Sequence, residues 1–192
     1  MKLEEWLEFF RKHLELKIFH FDHLRTLTDL EGHSLRVALK RLNERRIIRR
    51  ICRGFYANPF NAPTLEEVSA EVRKPSYISL ESALYRHGIL SQMPQVLTCV
   101  TLQLPREFRT SFGSIQYRRI QKAYFFGFAR ENDHFCAEPE KALVDFLYLN
   151  KREDTEGMIQ DMSFEELDWK KLKAYAKKLK VSLPGPLLTI PR

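Results

Sequence analysis

Cysteine is scarce in this chain of 192 residues: Cys52, Cys99 and Cys136 are odd in number and far apart. That excludes a disulfide framework, and the spacing offers no zinc-ligand pattern. No apolar run is long enough to span a bilayer. The opening Lys2-Leu3-Glu4-Glu5 is too acidic for a secretory signal, so a cytoplasmic protein with reduced thiols is expected. Internal repeats and low-complexity tracts are also lacking. Six histidines are scattered without ligand-like or triad-like neighbours. No clustered nucleophile, metal ligand set or paired carboxylates stand out, so the expectation is a protein without a metal, a cofactor or an enzymatic activity.

Two short motifs resemble enzyme signatures and fail on inspection. Phe112-Gly113-Ser114 has the Gly-Ser opening of nucleotidyltransferases, yet no Asp or Glu follows before Glu131 to hold Mg²⁺. Glu138-Pro139-Glu140-Lys141 superficially resembles a nuclease carboxylate-lysine motif. Its spacing is wrong, and Pro139 predicts a helix start, where acids complement the dipole.

What the chain has is a concentrated positive charge. Arg36, Lys40, Arg41, Arg45, Arg46, Arg49, Arg50 and Arg53 face a single acid, Glu44, between positions 36 and 53. The net +7 of this stretch equals the formal net charge of the whole protein, so all other residues together are neutral. The pI is near 9.4. A local cationic field of this kind suits a polyanionic partner better than scattered lysines do. A second basic cluster, Lys170, Lys171, Lys173, Lys177, Lys178 and Lys180, follows seven acids between Glu153 and Asp168 and reads as a solvated helix face.

The first basic stretch is punctuated as helix, turn and hairpin. Leu3, Trp6, Leu7, Phe10 and Leu14 predict a first helix; Phe21, Leu24 and Leu27 predict a second. The turn Asp29 to His33 leads to Ser34 as N-cap of a third helix, with Leu35, Ala38, Leu39 and Leu42 as its buried face. Ile47, Ile48 and Ile51 are interleaved with arginines, Gly54 breaks the run, and Phe55-Tyr56-Ala57 returns, which predicts a hairpin. The expected class is α+β: a winged helix-turn-helix over 1–58, a linker with a short helix over 59–75, and a mixed α/β domain over 76–192. Thr64 and Glu67 supply a capping-box pattern for the linker helix.

In a winged helix the third helix lies in the DNA major groove. Arg36, Val37, Lys40 and Arg41 are expected to point outward, with Arg36 or Arg41 matching guanine O6 and N7 and Val37 meeting a thymine methyl. Ser34 and the helix N-terminus are suited to a phosphate. Alternation sets Arg49 and Arg50 on opposite faces of the hairpin, so only one of them can face DNA. Arg53 sits at the wing tip, where phosphate or minor-groove contact is expected. RNA is the weaker partner, because no aromatic stacking platform interleaves with the arginines.

In the second half, Ser79 is expected to cap a helix through Leu80, Ala83, Leu84 and His87. Strands are predicted over Val96 to Leu104, Ser114 to Ile120, Tyr124 to Phe128 and His134 to Ala137. Helices are predicted after Pro139 and after Ser163, the latter with Glu166 as capping partner.

Several phrases in this order resemble AbiEi-type antitoxins of type IV toxin–antitoxin systems. In the first half they are Leu39-Lys40-Arg41-Leu42, the strand Ile47 to Ile51, and Arg53-Gly54-Phe55-Tyr56. In the second half they are the run Pro75 to Tyr85, Val100-Thr101, Phe112-Gly113, Phe126-Gly127 and Ala137 to Leu143, which are more specific. Together they cover about Phe21 to Leu149. The chain departs from the pattern with Asn43-Glu44-Arg45, where such proteins often place a glycine, and it is short after Asp145. The resemblance implies a repressor of its own operon that counteracts a nucleotidyltransferase-like toxin without needing a stable complex with it. The composition and motifs leave open a plain regulator whose second domain senses a ligand or mediates assembly.

Overall fold

A computed structural model of the chain describes residues 1–151 and 156–185. Within them it is an α+β protein with eight α-helices and two sheets. Two compact units are present: Met1–Val72 with Phe108–Gly113, and Arg73–Glu107 with the described residues from Ser114 onward.

In the first unit, α1 (Leu3–Lys12) buries Trp6 and Phe10 and ends before the expected Leu14, which is exposed. A short strand β1 (Ile18–His20) leads into α2 (Phe21–Thr28), then α3 (Gly32–Glu44). The hairpin β2 (Arg49–Cys52) and β3 (Phe55–Ala57) completes an antiparallel sheet in the order β1-β3-β2. Trp6, Phe10, Phe19, Leu24, Leu35, Leu39, Leu42 and Ile48 form its core. The i, i+4, i+7 spacing of Leu35, Leu39 and Leu42 makes α3 a surface helix with one apolar stripe. Ser34 is not its cap: Glu31 holds the N-cap position, and Ser34 lies exposed in the first turn.

Where α3 ends, Ile47 N–H donates to Leu42 O and Arg46 N–H to Asn43 O, a Schellman closure. It requires a left-handed residue, and Arg46 fills that place at φ +57°. A side chain in this region is disfavoured by about 1 kcal/mol. Arg46→Gly is therefore expected to raise folding stability by about 0.5–1 kcal/mol in urea denaturation. A loss would show that the Arg46 side chain makes compensating contacts.

The segment expected as a linker is partly built into the first unit. Helix α4 (Leu65–Val72) starts with the predicted capping box: Thr64 N–H donates to Glu67 Oε2 at 2.9 Å, and Glu67 N–H to Thr64 Oγ1 at 3.3 Å. Lys17 pairs with Glu67, and buried Asn58 donates through Nδ2 to His13 O and Leu16 O at 2.9 and 3.0 Å. These contacts join residues some 50 positions apart, which no local pattern encodes.

The second unit begins with β4 (Ser76–Ile78) and α5 (Leu80–Arg86), then β5 (Leu97–Thr101). Strands β6 (Arg106–Thr110), β7 (Gly113–Arg119), β8 (Phe128–Glu131) and β9 (His134–Ala137) follow, with Phe108–Gly113, the end of β6 and its turn into β7, counted in the first unit. The sheet order is β6-β7-β5-β4-β9-β8. Parallel pairs β4/β9 and β5/β7 alternate with antiparallel β4/β5 and β8/β9. Helices α6 (Pro139–Leu149), α7 (Glu156–Gln160) and α8 (Trp169–Leu179) complete the unit.

Three expectations are corrected here, and two strands are added. Tyr124 to Phe128 is not a strand: a 3-10 turn covers Lys122–Tyr124, and β8 starts only at Phe128. Strand β4 is too short to show alternation, and β6, Arg-Glu-Phe-Arg-Thr, is an edge strand without an apolar face, so neither was predicted. Ser79 occupies the N-cap of α5, but its hydroxyl donates to Asp145 Oδ2 at 2.9 Å rather than to the helix. Asp168, not Ser163, caps α8, accepting from Lys170 N–H and Lys171 N–H at 2.9 and 3.1 Å.

Candidate nucleic-acid interface

Helix α3 and the β2–β3 hairpin enclose a concavity of about 590 Å³. Arg36, Lys40, Arg50 and Arg53 line it, together with His20, Phe21, Asn43 and Tyr56. Each cation arrives by a different local rule. Arg36 and Lys40 are one turn apart on α3, so they share a face beside its buried stripe. Arg50 reaches the concavity because side chains alternate along β2, and Arg53 because it sits in the hairpin turn.

Backbone contacts fix these positions. Gly54, at φ +85°, lets the hairpin turn tightly, and its carbonyl accepts from Phe21 N–H at 2.8 Å, tying the turn to the start of α2. Asn43 Oδ1 accepts from Arg50 N–H at 2.9 Å, joining the end of α3 to β2. Arg36 lies over the Phe21 ring, 5.3 Å from its centroid, which orders the guanidinium without neutralising it.

Lys40 pairs with Glu44 at 3.7 Å, but both are well exposed, and such a pair is readily exchanged for a phosphate. Among the described residues lining it, the one carboxylate is Asp22, 3.6 Å from His20 Nδ1. Burial raises the Tyr56 phenol above its ordinary value and Arg50 opposes the shift, so Tyr56 remains a neutral hydrogen-bonding group. Four cations against one acid make this surface strongly electropositive. Polar side chains that donate and a partly apolar wall suit it to phosphate and base edges.

The remaining sequence candidates lie elsewhere on the first unit. Ser34 and Arg41 are exposed on α3 but do not line the concavity. Val37, expected to be exposed, is half-buried. Arg49 is on the opposite face of the hairpin, where its guanidinium donates to Ser111 O and lies 4.5 Å from the Phe112 ring centroid. Of the alternating pair, Arg50 faces the concavity. Sequence reasoning overlooked His20, Phe21, Asn43 and Tyr56. The signal for Asn43 was present, since Arg36, Lys40 and Asn43 recur at i, i+4 and i+7. The other three come from β1, α2 and β3, and only the tertiary fold brings them to α3.

The set-aside motif Glu138 to Lys141 is absorbed by structural contacts. Glu138 accepts from Tyr175 Oη at 2.7 Å and pairs with Lys171 at 3.0 Å; Glu140 accepts from Asp168 N–H at 2.9 Å. Lys141 is buried and pairs with Asp145. Among the described residues no group of His, Cys, Asp or Glu is placed to hold a metal ion, and no helix is long and apolar enough to cross a membrane. Cys52, Cys99 and Cys136 are not joined in disulfides, and burial pushes the Cys136 thiol up to about 12. Compared with known proteins, the chain matches no family model and no curated sequence.

Proposed function

We propose that the first unit is a winged helix-turn-helix that binds double-stranded DNA, and that the chain is the repressor and antitoxin of a type IV toxin–antitoxin system. The observation that carries the DNA reading is the concavity in which Arg36 and Lys40 of α3 converge with Arg50 and Arg53 of the β2–β3 hairpin. Helix, strand, two helices and a hairpin follow in the order that a winged helix requires, with α3 as the recognition helix and the Arg53–Gly54 turn as the wing. The antitoxin reading rests on the resemblance of the second half, Pro75 to Leu149, to AbiEi-type antitoxins. On this reading the protein acts in the cytoplasm by binding, not by catalysis. Its functional partner is a nucleotidyltransferase-like toxin with which no stable complex is needed.

Two assays in one host test both parts. A reporter driven by the sequence upstream of the gene should fall in expression when the full chain is supplied. Growth arrested by a nucleotidyltransferase-like product of the adjacent gene should be restored by the same chain. An unaltered reporter overturns the repressor reading; persistent arrest overturns the antitoxin reading.

A further inference from the structure

The outward edge of β2 is covered by a turn that is distant in sequence but belongs to the same unit. Strand β2 lies at the end of the sheet order β1-β3-β2. Its register with β3 slips between Arg50 and Cys52, so Ile51 is an extra residue with no partner in β3. The Ile51 carbonyl instead accepts from Ser111 N–H at 3.1 Å. Arg49 reaches the same turn, donating to Ser111 O and stacking on Phe112.

The turn itself is held rigidly. Thr110 Oγ1 donates to Gly113 O at 2.7 Å and accepts from Phe112 N–H at 3.1 Å. Gly113, at φ +141°, packs so closely on α4 that a Cβ there would stand 2.8 Å from Leu65 Cδ2. One end of the contact is thus anchored on α4, and the other grips β2 at the bulge that separates Arg50 from Arg53.

We propose that the Thr110–Gly113 turn is a clamp that fixes the hairpin where Arg50 and Arg53 meet DNA. Arg49, Ser111 and Phe112 are then positioning residues and not phosphate contacts. A guanidinium that already donates to a carbonyl and stacks on an aromatic ring is committed to the protein. The clamp rests on the DNA-binding reading above, because positioning has meaning only if the hairpin meets DNA.

The test uses the full chain and a fluorescein-labelled duplex of its own upstream sequence, with anisotropy measured across a salt series. Arg49→Lys keeps the charge but loses the planar fork. It should weaken binding about five- to tenfold, as should Phe112→Ala, with the salt slope unchanged. The double variant should bind no worse than either single one, because both remove the same contact. Arg50→Ala, in contrast, should reduce the slope by about 0.9, the signature of one lost phosphate. Wild-type binding by Arg49→Lys together with a reduced slope for Arg49→Ala would overturn the clamp and make Arg49 a phosphate ligand.

Hydrogen exchange without DNA separates the clamp from the DNA reading. The Phe21 amide, bound to Gly54 O, should exchange faster in Phe112→Ala than in wild type. Unchanged exchange overturns the clamp even where DNA binding is intact. Absence of salt-dependent binding in wild type overturns the DNA reading itself. If Phe112→Ala does not fold, Phe112→Leu keeps most of the volume, removes the ring, and is read by the same two measurements.

Discussion

Lys141→Met is expected to cost about 3–5 kcal/mol of folding stability, because it leaves a carboxylate without its counter-ion in the core of the second unit. Lys141, Asp145, Tyr77 and Ser79 are all buried, at 0%, 0%, 2% and 0% exposure. Lys141 pairs with Asp145 and donates to Tyr77 Oη at 2.9 Å; Tyr77 and Ser79 donate to Asp145 Oδ2 at 2.8 and 2.9 Å. The ammonium also faces the rings of Phe126 and Tyr77, at 5.2 and 5.3 Å. Tyr77 and Ser79 alone offer only two neutral donors, too few to hold a buried charge cheaply.

The sign of the pH dependence follows from burial, which already raises the Asp145 carboxyl above its ordinary value, with Lys141 opposing. Without Lys141 the carboxyl rises further, and the folded state binds a proton that the unfolded state releases. The deficit is therefore full above the folded value and shrinks as pH falls through it. Urea midpoints at a series of pH values measure this. Lys141→Met/Asp145→Leu should recover most of the loss, because hydrophobic replacements satisfy each other. A single variant costing under about 1 kcal/mol at neutral pH would show that the hydroxyls suffice.

Affinity for promoter DNA is expected to fall about 10²- to 10³-fold between 50 and 200 mM salt. On the proposed DNA-binding reading, Arg36, Lys40, Arg50 and Arg53 in the concavity, with Arg41 on α3, would neutralise about four or five phosphates, each releasing counter-ions. Within this set the roles differ. Arg36→Ala should relax sequence preference at a cost of about 1–3 kcal/mol, because its stacked guanidinium is ordered for a base edge. Arg53→Ala should weaken all sequences about equally, since a turn arginine meets the backbone. Anisotropy with promoter and scrambled duplexes distinguishes the two. Flat affinity across the salt series would remove the electrostatic basis of the interface, and lost discrimination in Arg53→Ala alone would reverse the two roles.

The sequence by itself determined the first three helices and the hairpin of the first unit, though not strand β1, and where its charge lies. Leu35, Leu39 and Leu42 recur at helical spacing, so α3 had one buried face and its arginines an outward one. Gly54 between two β-rich runs required a hairpin, and alternation required Arg49 and Arg50 to part. Those features arise from neighbours in the chain, which periodicity and turn chemistry report directly. Tertiary structure decided which of the two arginines faces the concavity, and that Phe21, Tyr56 and His20 form its walls. It also decided that Arg41 lies off that surface and that Val37 is half-buried, because packing around a helix is set by its neighbours and not by its own period. It placed Lys141 opposite Asp145 and Tyr77, turning a motif that resembled an enzyme's into a buried ion pair. Most consequentially, it brought Ser111 and Phe112 to Ile51 and Arg49, some 60 residues earlier. A single backbone hydrogen bond and a ring contact carry no pattern in sequence, so long-range pairing of this kind is visible only once the chain has folded.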